Sequence, residues 1–140
     1  MLILFGLVHS LNAAEIVINE VLVDATGTDA GHEWVELYNS SADLVDLSGW
    51  EIQWGTSSYS RSHTIGALAL GGGEYLLLGG EWVDGRHELA EFNFGNAGSN
   101  ADSLRLVSSD DVVMDTLVYG SPNSDSWPDD FGVPATSLAP

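Results

Sequence analysis

The chain has 140 residues, 44% of them hydrophobic, which suits one domain with a buried core and excludes a disordered polar tail. Asp and Glu number 21 against 3 Lys and Arg, and the resulting net charge of −18 excludes a protein that tracks nucleic-acid phosphates. Cysteine is absent, which removes disulfides, thiol nucleophiles and thiolate metal sites.

In chain order, residues 2–8 form the apolar run LILFGLV, followed by HSLNAAE. The run is too short to span a bilayer and suits the apolar part of a secretory signal, with Ala13 and Ala14 offering a cleavage site. Residues 1–14 are therefore expected to be a signal peptide, in preference to a first strand, although no positive residue occurs before Arg61. That places the protein outside the cell, secreted or at the cell surface.

Beyond this segment the apolar runs are short, rich in Val, Ile, Leu and aromatics, and bounded by Gly, Asp, Asn and Ser. The expected strands are Glu15–Val23, Glu33–Asn39, Trp50–Trp54, His63–Ile65, Glu74–Leu78, Ser103–Val107 and Val112–Tyr119. Turn chemistry separates them: ATGTDAG before Glu33, DLSG before Trp50, GGG at 71–73, NAGSNAD before Ser103, and SSDD before Val112. Short strands with such punctuation, and no βαβ alternation, indicate an all-β antiparallel sandwich or barrel. In the second strand Trp34, Glu36 and Tyr38 share one face and Glu33, Val35, Leu37 and Asn39 the other. The first strand is apolar on both faces, which places it inside a sheet covered on each side or next to packed loops. The expected core comprises Ile16, Ile18, Val21, Trp34, Val35, Leu37, Trp50, Ile52, Leu76, Leu104, Leu106, Val113 and Leu117.

All prolines (Pro122, Pro128, Pro134, Pro140) fall after Tyr119, so regular structure is expected to end there. Residues 121–140 form a Pro-rich tail whose Trp127 and Phe131 suggest partial docking on the domain. The closing SLAP reads as leading into a longer chain.

The blocks IVINEVLVDATGTDAGHEWVELYN (16–39), DLVDLSGWEIQW (43–54), EYLLLGG (74–80) and ADSLRLVSSDDVVMDTLVYG (101–120) resemble the lamin tail domain family, in its bacterial exported type. The resemblance covers residues 15–120 and implies an immunoglobulin-like β-sandwich without catalytic residues of its own. It also implies a module of exported proteins that serves adhesion or localisation, sometimes beside nucleases or other hydrolases. Nuclear and DNA recognition by eukaryotic members does not transfer, because this chain has no basic patch.

Within those blocks Ser48-Gly49 turns the chain to deliver Trp50 inward, and Asn39 suits a turn. Asn19 and Glu20 lie mid-strand, where their types are depleted. Bonding to loop backbone, pinning residues 24–32, is favoured over a surface site at Glu20.

Catalytic motifs are sparse. His32-Glu33-Trp34-Val35-Glu36 lacks the second histidine of a zinc helix and lies in a strand, while His9, His63 and His87 stand apart. No nucleophile elbow supports the serines, and without lysine the 71–73 glycines cradle no phosphate. Hence no enzyme activity is expected. Calcium is the one metal considered, on the oxygen-rich stretches 24–29, 93–102 and 110–111, with Asp24, Asp29 and Asp102 as ligand candidates. Turn capping explains the same residues. The charge itself is relieved at about 0.5–1 M salt, where the screening length is a few ångströms, so a saline habitat fits the acidic surface.

The reading is a non-catalytic binding module with a protein, a cell-surface polymer or a neighbouring domain as partner, and no nucleic acid or stable membrane span. Trp54, Tyr59 and Trp82 are candidates for stacking on sugar rings and equally for filling the sandwich rim. The alternative is an accessory fragment of a larger exported hydrolase or nuclease.

Overall fold

A computed structural model describes residues 15–135; the expected signal segment 1–14 and the last five residues lie outside it. The strands are β1 (Ile16–Leu22), β2 (Trp34–Asn39), β3 (Val45–Asp46), β4 (Glu51–Gly55), β5 (Arg61–Thr64), β6 (Ala69–Leu70), β7 (Tyr75–Gly79), β8 (Glu88–Leu89), β9 (Asp102–Val107) and β10 (Val113–Tyr119). No helix forms among the described residues. One sheet, A, runs β1-β2-β7-β8; a second, C, runs β10-β9-β4-β5; and β3 pairs with β6 separately. Each expected strand occurs, with ends shifted by a residue or two. The expected strands did not include β3, β6 and β8, whose two residues hold no pattern and pair only because the chain folds back. Pairing is antiparallel except between β7 and β8, where Leu78 and Gly79 face Glu88 and Leu89 in parallel.

Alternation builds the core between the sheets. Val35 and Leu37 of β2, Leu76 and Leu78 of β7, Ile52 and Trp54 of β4, and Leu104 and Leu106 of β9 meet in one buried cluster. Asp46 prepares the entry of Trp50: its Oδ1 accepts from the Ser48 amide and hydroxyl at 2.9 and 2.6 Å. These bonds hold its carboxyl below the usual aspartate range. Gly49 then takes φ +78°, a conformation that a Cβ disfavours. Trp50 lands in the core at 8% exposure.

Two β-bulges change which side chains point inward. In β1 the register runs from Ile18↔Leu37 to Glu20↔Glu36, leaving Asn19 as the extra residue. Ile16 and Ile18 point inward before it, and Val21 and Val23 after it. The first strand is thus not covered on both faces: it is the edge of sheet A, and its double apolar character is one inward face switched in parity. Likewise Met114 is the extra residue of β10. Met114 packs on the core, whereas Val113 pairs with Val107 on the outer face and is not a core residue. Trp34 also leaves the expected core; it is half-buried on the outer face of β2.

Side-chain links close both flanks of the sandwich. At the β1–β10 flank the Ile18 amide donates to Asp115 Oδ2 at 2.7 Å. Burial raises the Asp115 carboxyl, and the Ile18 amide opposes that rise. At the β5–β8 flank His63 Nε2 lies 2.6 Å from Glu88 Oε1, and the Gly66 amide donates to Glu88 Oε2. Charged, bulged and bridged edges oppose pairing with another chain.

Residues past Tyr119 pack on the outer face of sheet C. Trp127 is 4% exposed, its indole donates to the Ala101 carbonyl at 2.9 Å, and its ring lies 4.8 Å from Tyr59. Phe131 stays exposed. The outer face of sheet A receives no such cover from the described residues, and this asymmetry positions the site.

Candidate functional site

Two places combine concavity with chemistry. The first is the sandwich end where residues 29–33 meet residues 91–102. Glu33 precedes β2 on its core-facing parity and is 2% exposed. Its Oε1 accepts the Phe94 amide at 3.0 Å. Burial raises its carboxyl from 4.5 to about 7, against the Phe94 amide; Asp29 adds to the rise and Arg61 opposes it. Asp102, also buried, accepts the Ala97 amide at 2.9 Å, and burial raises its carboxyl as well. The Tyr119 hydroxyl donates to the Gly95 carbonyl at 2.8 Å, and burial raises that phenol above its ordinary value. Trp54 Nε1 donates to the Asn93 carbonyl at 2.9 Å, and Arg61 donates to both the carbonyl and the side chain of Asn93. The segment 93–97 is therefore held by Glu33, just before β2, and by side chains from β4, β5, β9 and β10, which supply the backbone partners a glycine-rich loop lacks.

The calcium candidates fall around this end. Asp24 is exposed in the loop after β1. Asp29 accepts the Ala25 amide through Oδ1 and the Asn96 amide group through Oδ2 at 3.1 Å. Asp102 sits across the 96–101 loop. Asn96 links the first loop to the second, yet among the described residues no group of three His, Cys, Asp or Glu side chains is spaced to hold a metal ion. A cleft of about 390 Å³ lies between Asp29–Glu33 and Glu91–Phe94. Its Asp29 and Glu33 carboxylates accept backbone amides, from Ala25 and Phe94.

The pinning of loop 24–32 belongs to Asp29, not to Asn19 and Glu20. As the bulge residue, Asn19 donates to Glu36 Oε1 at 2.8 Å, and Glu20 is exposed opposite Glu36. Asn39 does more than form a turn: fully buried, it donates to the Asp43 and Leu70 carbonyls, each at 2.8 Å, and accepts from Ser41. The histidines also serve the scaffold. His87 Nδ1 accepts the Leu77 amide, extending the edge of β7, and His63 forms the flank bridge.

The second place is a groove of about 500 Å³ on the outer face of sheet A. Its floor is Leu22, Trp34, Glu36 and Leu77, neighbours by strand register, and its walls are Ala25–Thr26 and Trp82–Asp84. Gly31 shapes one wall: a Cβ there would lie 2.8 Å from Trp82 Cδ1, so only glycine lets the indole seat against the backbone. The Trp82 amide donates to the Gly31 carbonyl, and the indole lies stacked 6.4 Å from His32 while remaining 64% exposed. Of the aromatics expected to meet sugar, only Trp82 is placed to do so. Trp54 is buried against Phe92 and Phe94, and Tyr59 is half-buried between Trp127 and Arg105, whose guanidinium lies 4.0 Å from its ring centre. Sequence reasoning missed Trp34 as a site residue, although its parity with Glu36 and Tyr38, opposite Val35 and Leu37, already pointed it outward.

A model of the Lamin Tail Domain family matches residues 9–121. No curated protein matches the chain.

Proposed function

The chain belongs to the lamin tail domain family, an immunoglobulin-like all-β sandwich, and from that premise we propose that it acts as a non-catalytic binding module of an exported protein. The supporting observation is the contrast between the two places just described. The polar end holds Glu33, Asp102 and Tyr119 in bonds to backbone, which is scaffold work. The groove on sheet A instead presents two tryptophans and two carboxylates to solvent, a composition suited to holding a ligand. Adhesion to a cell-surface polymer or to a protein, or attachment to a neighbouring domain, would use that face.

The test pairs activity and retention. Purified chain is incubated with DNA, nitrophenyl esters and soluble glycans, and separately with isolated cell-envelope material. Retention by envelope material that Trp82→Ala abolishes is the expected result. Turnover of any of these substrates by the chain alone would overturn the proposal.

A further inference from the structure

The inference rests on the binding-module reading and names the ligand of the same groove. We propose that the outer face of sheet A holds an extended peptide segment of a partner protein, seating its lysine or arginine side chains between Trp34 and Trp82, against Glu36 and Asp84.

Charge argues for a cation. All 21 acidic residues and all three arginines lie within residues 15–135. Arg61 bonds to Asn93, Arg86 to the Glu81 and Val83 carbonyls, and Arg105 to Gln53. Among the described residues the one ion pair is His63–Glu88. Among the described residues no arginine therefore pairs with a carboxylate, and Glu36, which takes one bond from Asn19, and Asp84 are the carboxylates set in an aromatic groove. Indole faces carry negative potential, so a cation over Trp82 or Trp34 gains from ring and carboxylate together. A neutral sugar would stack on the rings and donate hydroxyls to the carboxylates, but would leave their charge uncompensated.

Geometry argues for an extended chain. The outward row of β2, Trp34, Glu36 and Tyr38, repeats about every 7 Å, the spacing of alternate side chains in an extended peptide. Tyr75 stands beside Tyr38 at 4.7 Å and is 50% exposed, so the row continues as open surface beyond the groove. Sheet C cannot offer the same face, because Trp127 covers it.

The experiment is calorimetric titration of the whole chain with a capped peptide of alternating arginine and alanine, three of each, at low and high salt. Saturable binding is expected, weakened by salt. Trp82→Ala should weaken it about three- to thirtyfold, the range of one cation–π contact. Asp84→Asn should weaken it too, whereas Asp110→Asn/Asp111→Asn, in the distant β9–β10 turn, should not. Trp82 and Asp84 are exposed, so these variants keep the core, and circular dichroism checks it. Equal losses at Asp84 and at Asp110/Asp111, or none at Trp82, would reduce the attraction to diffuse charge and overturn the inference. So would absence of saturable binding. A chitin or cellulose hexasaccharide that binds through Trp82 where the peptide does not would replace the ligand class and leave the binding module standing. Cleavage of the peptide would remove the module reading itself.

Discussion

Glu33→Gln is expected to stabilise the domain above pH 7 and to change it little near pH 4.5. In the fold this carboxyl titrates at about 7 against 4.5 in the open chain, chiefly because burial disfavours its charge. Between those values the native state holds a proton that the unfolded state releases, so stability falls as pH rises. The contribution of Glu33 is fully present below about 4.5 and lost as pH passes through about 7. The gap of ~2.5 pH units corresponds to about 3 kcal/mol, at about 1.36 kcal/mol per unit. Glutamine keeps an acceptor for the Phe94 amide and cannot ionise, so it removes the pH dependence without emptying the bond. Urea unfolding followed by tryptophan fluorescence, at steps from pH 4.5 to 8.5 and about 0.5 M NaCl to screen surface charge, compares the two chains. Asp102 and Asp115 are also raised by burial and also weaken the fold as pH rises, but parent and variant share them. The difference between the curves therefore isolates Glu33, and at pH 8.5 it should displace the midpoint by roughly 1–2 M urea. A difference that stays constant across the range would show a normally ionising, solvated Glu33 and refute the burial argument. Glu33→Ala gives the complementary result: a loss of about 1–3 kcal/mol near pH 4.5, because the buried Phe94 amide loses its partner, offset above pH 7 by removal of the buried charge.

Asn39→Ala should cost about 2–4 kcal/mol in urea unfolding, since it strands the buried Leu70 carbonyl and releases the 40–43 turn together. Trp127→Ala should cost about 3–5 kcal/mol and open residues 121–135 to protease while the rest of the chain stays resistant, because the indole is the tail's one deeply buried ring. In a thermal melt, chelator followed by calcium should raise the midpoint no more than sodium or magnesium at matched ionic strength. Asp29 and Asp102 already accept protein hydrogen bonds, and screening of the −18 charge acts alike for every salt. A rise specific to calcium would instead assign an oxygen cage to these loops.

Local pattern made much of this legible. The period of two in WVELYN and the turn residues around DLSGW located β2, β4 and the inward Trp50, because alternation and glycine conformation depend on neighbours in the chain alone. Parity also put Glu33 and Asn39 on the face of Val35 and Leu37, but Trp34, on the opposite face, was still counted in the expected core because its size and apolarity outweighed its parity. What pattern misjudged was the bulges. An extra residue at Asn19 or Met114 is defined by the partner strand, so β1 read as two-faced and Val113 as core. The two-residue strands β3, β6 and β8 exist only as pairings between distant segments. Exposure of an indole is decided the same way: Trp54 is buried by Phe92 and Phe94, and Tyr59 is covered by Trp127 from the tail. By itself the sequence determined the strands, the turns and an acidic surface without cations to balance it. Tertiary packing alone decided which sheet face the tail would cover, and therefore that Trp34 and Trp82 would share an open groove.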